Sequence, residues 1–128
     1  MTQGQASMVN TQPLNPEQAT PRIFYFSVWD KERVFHVDVQ DEMIIGWASD
    51  DADVAIDLTP YHARLMGVSR QHASITTTAK GVFLQDLEST SGTLLNGIHL
   101  ETDRQYALHD GDEIRIGSLY LTIHFTDA

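Results

Sequence analysis

Short β-prone runs, recurring after brief gaps, constrain this chain more than any other feature. Residues 23–29, 34–39, 43–45, 73–78, 82–87, 113–116 and 119–125 are each of strand length, and Gly, Asp and Asn punctuate the chain between them. That spacing belongs to an all-β sandwich rather than to strands alternating with helices. Within the second run Val34, His36 and Asp38 point one way and Phe35, Val37 and Val39 the other, so the second set is expected in the core. Asp30-Lys31-Glu32-Arg33 and Ala79-Lys80-Gly81 read as hairpin turns.

Two stretches depart from the β rhythm. Between Leu58 and Gly67, Thr59 suits a helix cap, Pro60 a first helical position and Gly67 a C-terminal stop. The segment therefore predicts a single helical turn within a long loop that delivers the chain to Ser69. Residues 1–21 are rich in Gln, Asn, Thr and Ser, carry Pro13 and Pro16, and have few large apolar side chains beyond Met8, Val9 and Leu14. Such a composition buries too little apolar area to offset the entropy of ordering, which predicts a disordered polar tail closed by Pro21. Residues 22–126 are then one domain, the number that a chain of 128 residues accommodates.

Composition removes several function classes. The chain has no cysteine, which excludes disulfides, thiolate metal sites and cysteine nucleophiles, and a reducing cytoplasm fits by default. Eighteen acidic residues against eight basic ones give a net charge of −10, which opposes approach to nucleic acid or to an anionic membrane. No apolar run approaches the ~20 residues that span a bilayer. His36, His99, His109 and His124 share no metal-ligand spacing, so neither a metal nor another cofactor is expected. With no nucleophile elbow and no phosphate-cradling glycine loop, the chain reads as a binding protein and not as an enzyme.

Four clusters carry the functional signal. Gly46 in Ile45-Gly46-Trp47 ends a β run and by itself says little. In Val68-Ser69-Arg70-Gln71-His72-Ala73, a hydroxyl stands three residues before an imidazole at a strand's start, where the ring can bond to neighbouring backbone and hold the loop. His72 is read as that structural support. The third cluster, Asp86-Leu87-Glu88-Ser89-Thr90-Ser91-Gly92-Thr93-Leu94-Leu95-Asn96-Gly97, supplies hydroxyls and amides in one loop and ends on an Asn-Gly hairpin turn. The last is Leu108-His109-Asp110-Gly111-Asp112-Glu113-Ile114-Arg115-Ile116-Gly117, with Asp110 and Asp112 in a turn.

The order and spacing of these clusters resemble the signature of a forkhead-associated (FHA) domain across residues 23–125. The resemblance implies a sandwich of two sheets with about eleven strands and a phosphothreonine-peptide site in the loops at one end. Ser69 would donate its hydroxyl to a phosphate oxygen, Arg70 would contact phosphate or peptide backbone, and Thr90 would help fix the phosphothreonine. Asn96 would reach the peptide main chain or brace the loop, with Gly46, His72, Gly92 and Gly97 as structural support.

Two positions depart from the family pattern. Trp47 stands where the family has its phosphate-binding arginine, and Ser91 where it has the asparagine that orients the ligand's backbone. Asp50, Asp51 and Asp53 follow Trp47 and would add repulsion if their loop faces the site. Arg64 is the candidate replacement cation and His62 a weaker one; the plainer reading of Arg64 is a solvated surface charge. Trp47 is either an exposed anchor for a protein partner or an inward-packed ring.

Two functions follow from this. One is phosphothreonine-peptide recognition in Ser/Thr kinase signalling, weakened by the lost arginine; the other is a phosphate-independent interaction or scaffold domain that kept the fold. The expected partner is accordingly a phosphorylated or an unmodified protein. A third idea is self-association through Thr11 or Thr20 of the tail, once phosphorylated.

Overall fold

The computed structural model describes residues 20–29, 33–47 and 53–126. The expected disordered tail, apart from Thr20 and Pro21, lies outside the described residues, as do Asp50, Asp51 and the turn residues 30–32. Eleven strands form two sheets. In chain order they are β1 (Ile23–Val28), β2 (Val34–Asp38), β3 (Glu42–Gly46), β4 (Val54–Asp57), β5 (Gln71–Thr78), β6 (Gly81–Asp86), β7 (Thr93–Leu95), β8 (Ile98–His99), β9 (Tyr106–Leu108), β10 (Glu113–Ile116) and β11 (Leu119–Thr126). One sheet runs β2-β1-β11-β10-β7-β8 and the other β4-β3-β5-β6-β9. The pair β3/β4 is parallel, whereas the other neighbours are antiparallel.

The core is the set of inward phases of these strands. Phe24, Phe26 and Val28 of β1 and Leu119, Leu121 and Ile123 of β11 face Met43 and Ile45 of β3, Ile75 of β5 and Leu84 of β6, all buried. Removing a side chain of this size from water contributes about 1.5–3 kcal/mol. Phe35, Val37 and Val39 face the core as expected but are half-buried, because β2 is an edge strand covered on one flank only.

The loop from Leu58 to Gly67 contains the expected helical turn, a 3-10 turn over Thr59–Tyr61 with Pro60 at its start. The cap is different from the one expected. Leu58 occupies the N-cap position without a side-chain bond, and Thr59 lies inside the turn. Asp57, at the end of β4, takes over the capping chemistry, accepting from the Thr59 amide at 3.0 Å and from its hydroxyl at 2.6 Å. Tyr61 then stacks on Phe35 at 5.3 Å, which anchors the turn to β2.

The loop closes on itself at Ala63, which is buried, where the Val68 amide donates to the Ala63 carbonyl at 2.9 Å. His62 and Gly67 both take positive φ, 60° and 81°, and reverse the chain at the two ends of the excursion. Residues 64–67 are therefore a short, pinned projection rather than a free arm.

Candidate functional site

The site is built where β3 ends, β5 begins, β6 ends and β7 begins, at one end of the sandwich. Backbone bonds tie the loops there together: Trp47 N to Arg70 O at 3.2 Å, Leu58 N to Gly46 O at 2.8 Å, and Leu87 N to His72 O at 2.9 Å. Gly46 lies so close to β5 that a Cβ on it would stand 1.8 Å from the Arg70 carbonyl oxygen.

His72 is fully buried and bridges two loops. Its Nδ1 accepts from the Ser69 amide at 2.9 Å, which leaves Nε2 as the protonated nitrogen that donates to the Gly92 carbonyl at 2.8 Å. Burial pushes the imidazole below its usual pKa, and the Gly92 carbonyl and the Asp86 carboxylate pull it part of the way back. The neutral ring is the one the fold needs. Because the folded protein holds this proton more weakly than the unfolded chain, the contribution of His72 to stability is complete above about pH 6.5 and declines as pH falls through the lowered folded value. Nitrogen NMR at pH 7 should show an Nε2-protonated neutral His72; a doubly protonated ring at that pH would contradict this arrangement.

Across from Ser69 lies the loop between β6 and β7. The Thr90 amide donates to Ser69 Oγ at 3.2 Å, joining the two loop tips at an exposed edge. The Ser91 hydroxyl donates to the Gly67 carbonyl, fastening the same loop to the pinned projection. The Ser118 amide adds a bond from the β10–β11 turn to the Met66 carbonyl at 2.7 Å.

Beneath the loop sits a carboxylate. Asp86 continues the inward phase of Val82 and Leu84 and is buried, and its oxygens accept from the Ser89 amide at 3.2 Å, the Ser89 hydroxyl at 2.5 Å and the Thr93 hydroxyl at 2.7 Å. Ser89 Oγ in turn accepts from the buried Gly92 amide at 3.0 Å.

Trp47 is half-buried against the core, and its Nε1 donates to the Val68 carbonyl at 2.7 Å. The indole residue is thus clamped, through its backbone amide and its ring nitrogen, to the loop residues on either side of Ser69. Two guanidiniums lie against it, Arg64 with its carbon 4.7 Å from the ring centroid and Arg70 at 5.3 Å, both within cation–π range.

The FHA domain family pattern matches residues 43–117, more than half of the chain. The chain belongs to the FHA domain family. It is 36% identical over 86 residues to the E3 ubiquitin-protein ligase DMA1 of Saccharomyces cerevisiae, an alignment covering 59% of this chain and 21% of that protein. The chain thus spans about a fifth of the length of this relative. An FHA domain solved in a study of phosphothreonine-dependent FHA domain interactions superposes with a TM-score of 0.61 and 27% identity, over 80% of this chain and 95% of that one. The N-terminal FHA domain of Saccharomyces cerevisiae Rad53p, in complex with a phosphothreonine peptide, shares the fold with a TM-score of 0.66 and 20% identity, over 82% and 94% of the two chains.

Within this FHA domain, Ser69, Arg70, Thr90, Trp47 and Arg64 gather at one mouth. Ser91 borders it, but its hydroxyl is engaged with Gly67, so it fastens loops together instead of presenting a free polar group. Asn96 stands apart, at the β7–β8 turn, where it and Gly97 take positive φ of 51° and 83°. Its Nδ2 donates to Asp112 at 3.0 Å and its Oδ1 accepts from the Glu113 amide at 2.9 Å, so of its two expected roles the geometry provides the brace. Asp53 is described and exposed ahead of β4. Thr20 lies at the opposite end of the sandwich, beside the β5–β6 hairpin in a hollow of about 260 Å³ that Thr78, Lys80 and Phe125 also line, far from its own molecule's Ser69; Thr11 lies outside the described residues.

Sequence reasoning did not single out Asp86 and Ser89 as the loop's support, nor Met66 and Ser118 as its outer ties. Asp86 had a legible signal, a carboxylate in the inward phase of an otherwise apolar strand. Met66 and Ser118 meet through backbone atoms, which side-chain identity does not report.

Proposed function

We propose that this FHA domain recognises phosphothreonine in peptides of partner proteins, and that it serves Ser/Thr kinase signalling in the cytoplasm as a docking module without catalysis of its own. The observation that carries this reading is the junction of the Ser69 hydroxyl with the Thr90 amide at 3.2 Å, with the Arg70 and Arg64 guanidiniums drawn to the adjacent indole. A phosphothreonine brings about −1.5 to −2 charges and three strong acceptors, and that mouth supplies two cations and the Ser69 hydroxyl, whose oxygen accepts from the Thr90 amide and whose proton is left to donate, within a molecule of net charge −10. The relative at 27% identity, whose interactions are phosphothreonine-dependent, supports the same assignment.

The phosphate-independent alternative drew on Ser91, on Asp50, Asp51 and Asp53, and on Trp47 as an exposed anchor. A half-buried indole held by Val68 and covered by two arginines is poorly suited to that use. Titration with a phosphothreonine-oriented peptide library and its matched threonine library separates the two readings. Preference for the phosphorylated library is expected; equal binding would favour the scaffold.

A further inference from the structure

The position after Gly46 has lost its cation, yet two cations are present at the residue that replaced it. The chain has eight basic residues in all, and two of them, from different loops, share a single indole. Two like charges against one ring repel each other. The indole face offsets part of that repulsion, since each cation–π contact at an exposed site is worth about 0.5–1 kcal/mol.

Arg64 is positioned by construction. Its loop is closed by the bond between Val68 N and Ala63 O, and Gly67 N donates back to the Arg64 carbonyl itself at 3.2 Å. Ser91 pulls Gly67 toward the Thr90 loop. The indole against which Arg64 rests is fixed to the Val68 carbonyl, the group immediately before Ser69. Loop closure, the Ser91 tie and the Trp47 clamp thus bring the Arg64 guanidinium to the loop that carries the Ser69 hydroxyl.

We infer that Trp47 is a platform that presents Arg64, together with Arg70, to the phosphate, so that the cation lost from position 47 is supplied by the loop before Ser69. The ligand class is the phosphomonoester dianion of phosphothreonine; this inference rests on the phosphopeptide reading above and adds the residues that neutralise the charge. Ser91 is then a positioning residue that holds the Arg64 loop in place. An arginine suits this task because its planar guanidinium can stack on an aromatic face while its edge binds a phosphate bidentately.

The test is fluorescence anisotropy with the phosphothreonine library and the matched threonine library, on the full chain and on variants. Arg64→Ala should weaken phosphopeptide binding about 10- to 150-fold, the range for loss of one charge-assisted bond, and leave threonine-peptide binding unchanged. Arg64→Lys, which keeps the charge but neither the stack nor the fork, should fall between. Arg104→Ala, exposed and paired with Glu101, should match the parent chain. In a Trp47→Phe background, chosen because Trp47→Ala risks the fold, the effect of Arg64→Ala should shrink. Trp47→Arg removes the platform while adding a cation, so no tenfold gain in phosphopeptide affinity is expected from it.

If the parent chain prefers the phosphorylated library and Arg64→Ala does not alter that preference, the inference is overturned while the phosphopeptide reading stands. A tenfold or greater gain in Trp47→Arg would likewise overturn it, by showing that a phosphate cation had been missing. Equal binding of both libraries by the parent chain would instead remove the reading on which it rests.

Discussion

Gly46→Ala is expected to destabilise this domain severely. The added Cβ would stand 1.8 Å from the Arg70 carbonyl oxygen, 2.6 Å from its carbon and 3.0 Å from the Ser69 oxygen. All three are backbone atoms, so no side-chain rotation relieves the overlap. Relief requires β3 to separate from β5 at the point where their register shifts, between Ile45 and Gly46, with loss of the bond from Trp47 N to Arg70 O. Overlap with backbone belongs to the rare changes that destabilise by about 4 kcal/mol or more, against a total of about 5–15 kcal/mol for a typical domain. Urea denaturation followed by circular dichroism measures it; a midpoint within error of the parent chain would contradict the close approach of β3 and β5. The same contact gives the glycine of the first cluster its physical reason, independent of any ligand.

The second large effect is expected for Asp86→Ala. The carboxylate is buried and accepts three bonds from Ser89 and Thr93. Its removal leaves the Thr93 hydroxyl, itself buried, without this partner and releases the Ser89 amide and hydroxyl that shape the turn toward Thr90. A hydrogen bond to a charged group contributes about 1.5–3 kcal/mol, and here several neutral donors lose their acceptor at once. Asp86→Asn, which keeps an acceptor oxygen and the volume, should lose less. Thermal unfolding orders the three proteins, with the asparagine variant expected between the other two; an alanine variant as stable as the parent would show that the network does not hold the loop.

These two sites also mark what could be read from the sequence. Strands β1, β2, β3, β5, β6, β10 and β11 were visible because each holds several residues in clear β-prone runs. β7, β8 and β9 have three, two and three residues, too few for an alternation to declare itself, and they exist through pairing with β10, with β7 and with β6 respectively. β4 is held by a parallel pairing with β3, which depends on a connection that local sequence does not specify. The hairpin at Asn96-Gly97 was legible from its dipeptide, yet the use of the Asn96 side chain, on Asp112 and Glu113, depends on strands brought alongside by the fold.

In the site, the support by His72 was legible because a serine three residues before a histidine at a strand's start limits what the imidazole can reach. The fate of Trp47 was left open between an exposed anchor and an inward ring, and the half-buried indole lies between the two. Its bond to Val68 and its contact with Arg64 arise from a loop closed by the backbone of Ala63 and Val68, and no spacing rule announces that closure. Ser91 was assigned to the ligand through the family pattern. In the structure its hydroxyl donates to the Gly67 carbonyl.

Whether this mouth takes up phosphothreonine is tested most directly by the ratio of two dissociation constants, measured on the parent chain with one peptide from the library, phosphorylated and unphosphorylated at a single threonine. At least one charge-assisted bond to the phosphate predicts a ratio of about ten or more in favour of the phosphorylated form. A ratio of one would mean that Ser69, Thr90 and the two arginines on Trp47 do not form a phosphate site, and would contradict the account.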